Sequence, residues 1–361
     1  MNNDPNRDLW DACRNGDDNA INIAIEYGAT NWNSGLFNAC RYGYIDLAEL
    51  MIVNGANNWN RSLYGACIGG YIELAELMIA NGATDWNCGL YGACKSGHIE
   101  LAKLMITKGA TGWKQGLCDA CEGGHIELVK LMIAKGATNW NTGLLYICRN
   151  GNIEIAKLMV ANGADNWNSC LRDACSSGHI ELAKLMIAHG ANDWDNGLYS
   201  ACRNGNIELV KLMIENGSTK YDICLQIACV HGYIEIANLM IAYGATDCNW
   251  SLYSACQFGH IELAKLMIAH GATDLKGALQ YCNNESIREF IKSQCKLNNV
   301  KAVSIIRMLR RYIKRLHNSK RIQRWWRGTY PLWRELAYAP PKGLRYLQAY
   351  ERFTKASKSK I

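Results

Sequence analysis

The sequence predicts an all-α solenoid of short helical repeats, and three ladders of residues carry that reading. Glycine recurs every 27 residues, from Gly16 through Gly43, Gly70 and Gly97 to Gly259. Cysteine keeps the same period from Cys13 through Cys40, Cys67 and Cys94 to Cys256, and leucine keeps it from Leu9 to Leu279. A second glycine series, Gly28 to Gly271, and a tryptophan series, Trp32 to Trp194, run in step with them. A fixed short period of this kind is the mark of stacked repeats.

The stretch 89–110 shows how each element is read. Leu90, Ala93 and Cys94 fall at i, i+3 and i+4, the apolar stripe of a short helix. Gly97 ends that helix in a left-handed turn that only glycine adopts cheaply. Ile99, Ala102, Met105 and Ile106 form the stripe of a second helix, with Glu100 and Lys103 as an acid–base pair on the other side. The same pair recurs at Glu127/Lys130, Glu154/Lys157, Glu181/Lys184, Glu208/Lys211 and Glu262/Lys265. Gly109 takes the place of a C-terminal cap. Neither helix exceeds about ten residues, too short to be stable alone in water. Each pair must therefore bury its face on the next. At the ends, Asp18-Asn19-Ala20-Ile21 makes a more polar first repeat, and the last, 277–293, departs from the period by one residue at Cys282. About eleven repeats of 27 residues result.

Charge divides the chain. Residues 296–361 hold 18 Lys or Arg against Glu335 and Glu351, a net +16, while 1–295 carry −9. Such asymmetry points to two jobs, so two domains are expected: a solenoid over 1–295 and a basic, aromatic-rich helical tail over 296–361. The start, MNNDPNRDLW, is polar and acidic, unlike a secretory leader, and no apolar run approaches the ~20 residues needed to cross a bilayer. The 17 cysteines fall mainly on the helical stripe, where a free thiol behaves as a small apolar residue. So many thiols fit a reducing compartment, which gives a cytoplasmic expectation.

These residues resemble the ankyrin repeat. Asn204-Gly205-Asn206-Ile207-Glu208-Leu209-Val210-Lys211-Leu212-Met213-Ile214-Glu215-Asn216-Gly217 looks like that family's second helix with its flanking glycines, and Gly197-Leu198-Tyr199-Ser200-Ala201-Cys202 looks like its first helix. The resemblance covers roughly 7–293. The repeat has 27 residues where the family has about 33, and the Thr-Pro-Leu-His motif is absent. The missing residues fall between Ala191 and Leu198, where the family builds a β-hairpin finger, so truncated fingers and almost no strand are expected. The Trp-Asn-x-Gly-Leu pattern and the spacing resemble ankyrin arrays encoded by large DNA viruses, which would place the protein in a host cytoplasm. For function the resemblance implies an interaction module with a protein partner. No nucleophile–base set, phosphate loop or metal set is read from the sequence, so neither an enzyme, a cofactor nor a small-molecule substrate is expected.

Several constellations invite chemistry. Stacked helices lie ~8–10 Å apart, whereas a zinc ion holds its sulfurs at ~2.3 Å, so successive ladder cysteines are read as core. Cys118 and Cys121 make one CxxC with no second pair at finger spacing. His98, His125, His179 and His260 follow the turn glycine and are read as helix-start hydrogen bonders. The tryptophans are placed in the loop as a stacked apolar ridge. The informative positions are those that vary, one residue after the ladder leucine and one after the ladder cysteine. Among them Phe37, Tyr64, Tyr91, Arg149, Arg172, Tyr199, Arg203 and Tyr253 are of types enriched at interface hot spots. They are the expected partner-binding residues, with solvated variation as the competing reading.

In the tail, Val300, Val303, Ile306, Leu309, Ile313 and Leu316 keep helical spacing on a background of Lys and Arg. A basic amphipathic helix suits a calmodulin-type partner or a membrane surface. Ile322, Gln323, Trp325, Trp326, Arg327 and Gly328 resemble the first half of an IQ motif, while Pro331 and Leu332 depart from its second half. The resemblance implies a calmodulin-like or other acidic partner on those six residues. Competing readings are a cap on the last repeat followed by a basic arm, and a nucleic acid or lipid partner that uses the charge together with Trp325, Trp326 and Trp333.

Overall fold

The computed structural model describes residues 4–316, and among them twenty-two helices follow one another with no strand. The chain divides into two compact units, Met1–Ser200 and Ala201–Ile361. The first unit opens with Pro5–Asn15 and Asp18–Glu26, continues with Trp32–Tyr42 and Ile45–Val53, and repeats this pairing to Trp167–Ser177 and Ile180–Ala188. In the second unit lie Ile207–Glu215, the pairs Tyr221–His231 with Ile234–Ala242 and Cys248–Phe258 with Ile261–Ala269, then Leu275–Tyr281 and Glu285–Leu316.

Each helix pair is specified locally. Asn31, Asp85 and Asp247 cap the first helices that follow them, accepting hydrogen bonds from the N–H groups of Ser34, Cys88 and Trp250. The tryptophan therefore opens the first helix (Trp32, Trp59, Trp86) rather than sitting in the loop. It packs on the end of its own repeat's second helix: the ring of Trp86 lies beside Gly109, and Trp167 stacks on His189 at 5.1 Å. Among the described aromatic contacts this replaces the ridge of tryptophan on tryptophan. The first helix ends where the N–H groups of Gly70 and Tyr71 both donate to the Ala66 carbonyl, with Gly70 at φ +87°.

The core follows the ladders. Leu90, Ala93, Cys94, Leu101, Ala102 and Met105 are all buried. Leu101 is core, while Ile99 and Ile106 are only half-buried. Ile99 is the first residue of its helix, and Leu101 sits one turn before Met105. Cys40, Cys67, Cys94, Cys121, Cys175 and Cys229 have no exposed surface, and burial pushes their thiols up to about 12.

Successive first helices in the first unit pack closely, whereas second helices touch only in places. Gly89 and Gly92 make the approach feasible. A Cβ at Gly89 would stand 3.3 Å from Cys67 Sγ on the preceding first helix, and one at Gly92 would stand 3.0 Å from the Tyr64 carbonyl. The histidines also act between repeats. His98 Nε2 donates to the Ile68 carbonyl at 3.1 Å, and His125, His179 and His260 reach Lys95, Arg149 and Val230 in the same way. None of the four caps its own helix with its side chain. The ring lies over the turn glycine of the preceding repeat, and a Cβ at Gly70 would meet His98 at 2.5 Å. That turn thus needs glycine both for its dihedral and for room.

The asparagine after the tryptophan ties each loop to its neighbour. Asn87 Oδ1 accepts from the N–H groups of Thr111 and Gly112 at 2.8 and 2.7 Å. Asn33, Asn60 and Asn168 do the same 24 and 25 residues ahead, as does Asn6, which follows Pro5 in the first repeat. In the second unit Asp222 and Asn249 take this role.

The last repeat modifies the pattern. Its first helix is short, Leu275–Tyr281, and buries Leu275 and Ala278, leaving the ladder leucine Leu279 half-buried. Cys282 stands where the period would place an alanine, and its thiol donates to the Ala278 carbonyl at 3.3 Å. The helix Glu285–Leu316 anchors through buried Ile287 and Ile291 and runs unbroken past Lys296. Val300, Met308 and Tyr312 on it are exposed, whereas Ile306 is buried. Ile322, Gln323, Trp325, Trp326, Arg327 and Gly328 lie outside the described residues. Among those described, no helix is long and apolar enough to cross a membrane.

The fifth repeat tests the role of the asparagine, because Lys114 stands there and offers no acceptor to the loop at Thr138 and Asn139. Lys114→Asn is expected to add about 1 kcal/mol of stability, measured as a higher urea midpoint with an unchanged slope.

Candidate protein-binding face

The two variable positions of each first helix are four residues apart, so they are neighbours on one face. In the first unit the aromatic of one repeat leans over the next. The ring of Phe37 lies on Gly65, where a Cβ would stand 3.1 Å from it, and Tyr64 lies on Gly92 at 3.0 Å. Tyr91 extends its ring over Gly112. All three are half-buried, packed on one edge and open on the other.

Cations fringe this row. The Arg61 guanidinium sits 5.1 Å from the Phe37 ring centre, and Arg14 sits 5.7 Å from that of Trp10. Arg14 and Arg41 flank Tyr42 at 5.9 and 5.7 Å. Such contacts hold a guanidinium against an aromatic face while leaving its N–H groups available.

Further along the unit the charges are engaged with one another. Lys95 pairs with Glu122 at 2.9 Å. Asp173, nearly buried, accepts from Arg149 Nε at 2.8 Å and from Arg172 Nη2 at 3.2 Å. Asp119 occupies the same register in the fifth repeat, yet only Oδ1 is served, by Gln115 Nε2 at 3.1 Å, and Oδ2 is buried with no protein partner. Burial raises the Asp119 carboxyl above the ordinary carboxylate range, against a smaller downward pull from Gln115 and Lys95. The difference has a local cause: Lys95, which stands to Asp119 as Arg149 stands to Asp173, has turned to Glu122.

Tyr199 in the first unit and Arg203 in the second are exposed. Tyr253 in the second unit stacks on Tyr281 at 5.1 Å, meets Trp250 edge-on at 5.4 Å, and donates its hydroxyl to the Asp274 carboxylate. Phe37, Tyr64 and Tyr91 thus belong to one row, and Arg149 and Arg172 share one carboxylate. Cys118 and Cys121 are both buried, and burial drives their thiols up, away from the thiolate a metal requires.

Sequence reasoning missed Asp119 and Asp173. Both fall two residues after the ladder leucine, where other repeats carry Asn38, Gly65, Gly92 and Ser254. Asn38 also bonds across repeats, its Nδ2 donating to the Trp10 carbonyl at 3.1 Å. The recurrence of polar or minimal side chains at that step was the available clue.

The family model for ankyrin repeats (three copies) matches residues 90–170, 117–196, 171–251 and 198–276, which overlap to span 90–276. A comparison with curated proteins finds no match.

The unequal aspartates give a pH test. A raised folded-state carboxyl contributes stability that is present below its unfolded pKa and lost as pH rises through the folded one. Asp119→Asn keeps the Gln115 contact without the charge, so its melting temperature should exceed wild type at pH 7. That advantage should shrink as pH falls through the carboxylate range. Asp173→Asn should instead destabilise by about 1–2 kcal/mol at pH 7, since it strips two arginine bonds of their charge. Thermal scans from pH 4 to 8 check both.

Proposed function

The chain belongs to the ankyrin repeat family, and from that membership we propose that it is a non-enzymatic scaffold or adaptor that binds a protein through the face of its first helices. Ankyrin repeats generally mediate protein–protein interaction. The observation that carries the reading here is the row of Trp10, Phe37, Tyr64 and Tyr91 with Arg14, Arg41 and Arg61 around it. Aromatic and arginine side chains, already half-ordered by packing, give up little entropy on binding and dominate interface energies. Arg149, Arg172 and Tyr199 extend the surface of the first unit, and Arg203 and Tyr253 supply a surface on the second.

The tail, 296–361, is proposed as a separate binding segment for an acidic partner, supported by its net +16. Ile322, Gln323, Trp325, Trp326, Arg327 and Gly328 would be its anchors for a calmodulin-like protein. The charge equally favours a second reading, in which the tail meets nucleic acid or an anionic membrane and the repeats act as a spacer. Seventeen free cysteines support a reducing compartment. The resemblance to viral arrays supports a host cytoplasm.

Full-length protein and a Phe37→Ala/Tyr64→Ala/Tyr91→Ala variant, each used for affinity capture, test the face. A captured protein should bind the variant at least about tenfold more weakly while the tail's partner is unaffected. Equal capture by both would remove this face from the account. Salt separates the two readings of the tail: binding to duplex DNA should fall steeply with added salt, whereas an apolar groove contact with a protein should not.

A further inference from the structure

Five repeats carry a glycine before the ladder leucine, at positions 35, 89, 116, 143 and 197, and the first four of these face the ladder cysteine of the preceding repeat. A Cβ built on Gly35, Gly89, Gly116 or Gly143 would lie 3.2, 3.3, 3.5 or 3.1 Å from the sulfur of Cys13, Cys67, Cys94 or Cys121. In a disulfide the Cβ of one half stands about 3 Å from the sulfur of the other. This slot therefore has disulfide spacing wherever it holds a cysteine. Two repeats fill it so, with Cys170 facing Cys148 and Cys224 facing Cys202. In both pairs the slot cysteine acts on the ladder thiol and, together with burial, drives Cys148 and Cys202 well up, and all four residues are buried. Cys170 also donates to Asn166 Oδ1 at 3.4 Å.

We infer that Cys148 with Cys170, and Cys202 with Cys224, are two covalent modification sites, each closing an inter-repeat disulfide when a low-molecular-weight disulfide is the oxidant. One cysteine thiolate attacks the oxidant, breaks its S–S bond, releases one thiol and leaves a mixed disulfide. The second cysteine thiolate then displaces the other half of the oxidant. The protein loses two protons and two electrons, and the oxidant leaves as two thiols. Burial raises all the ladder thiols, so attack requires the repeats to part briefly, and the bridge forms slowly. Once the first mixed disulfide exists, reclosure of the helices brings the second sulfur to it. Cys282 also helps burial raise the Cys256 thiol, but it lies beyond the end of the helix Leu275–Tyr281, outside the glycine slot, and its thiol donates to the Ala278 carbonyl.

The test uses the full chain incubated with oxidised glutathione, then alkylation, digestion without reduction, and mass spectrometry. Peptides containing Cys148 and Cys170, and Cys202 and Cys224, should appear joined, two hydrogens lighter per bridge. Dithiothreitol should separate them, and the oxidised protein should melt at a higher temperature. Cys170→Gly, which restores the residue found in the slot of other repeats, should lose the first bridge and keep the second. Three outcomes overturn the inference: only glutathione adducts, bridges spread equally over other ladder cysteines such as Cys121, or no reaction of the folded chain under conditions that oxidise it in urea.

Discussion

The carboxamide oxygen of an asparagine side chain, seated between two backbone N–H groups of the next repeat, is the contact on which this architecture depends. Shortening the repeat to 27 residues removes the finger whose strands would pair those amides. A loop of four or five residues, such as 109–112 or 81–85, has no internal partner for them, and unpaired polar backbone is costly. Asn33, Asn60 and Asn87 accept both amides at 2.7–2.9 Å. Because the asparagine is the second residue of the first helix, its position is fixed by the cap before it and by the tryptophan seated on its own repeat. The capping residue serves its own helix, and the asparagine serves the neighbouring one.

With the loop edge tied, the opposite ends of the first helices are joined by the histidine-to-carbonyl bonds, and between them the glycine slot lets the helices approach. Each of these contacts links one repeat to the next rather than closing within a repeat, which is how helices too short to stand alone become stable. The same constraint explains the candidate face. Positions at the ladder are held by packing on both sides, leaving Phe37, Tyr64, Tyr91 and their flanking arginines free to vary. Even there packing intrudes, since Phe37 and Tyr64 lean on Gly65 and Gly92. The exposed Glu–Lys pairs, such as Glu100–Lys103 at 2.8 Å, contribute little by comparison, about 0.3 kcal/mol each.

Period and helical spacing made the repeat legible: the turn glycines and the buried Leu90, Ala93 and Cys94 follow from them, and the loss of strands was implied by the resemblance to a family whose finger is missing here. What stayed hidden was direction. A residue repeating every 27 positions could bond within its repeat or to the next, and periodicity alone cannot separate the two. His98 looked like a helix cap and is a bridge to Ile68. Trp86 looked like part of a loop ridge and is the first residue of a helix. Asn87 passed as part of a family pattern. The candidate face was legible as a set of variable positions, but the carboxylate that engages Arg149 was not, because that arginine reaches Asp173 only across a repeat boundary.

The central claim, that a side chain has replaced the finger, is tested most directly at Asn87. Amide hydrogen exchange on wild-type protein and Asn87→Ala, read at Thr111 and Gly112, isolates the two bonds from the rest of the repeat. Both amides should lose protection selectively, and the chain should lose about 1–2 kcal/mol in urea unfolding. Unchanged protection at Thr111 and Gly112, with unchanged stability, would contradict it.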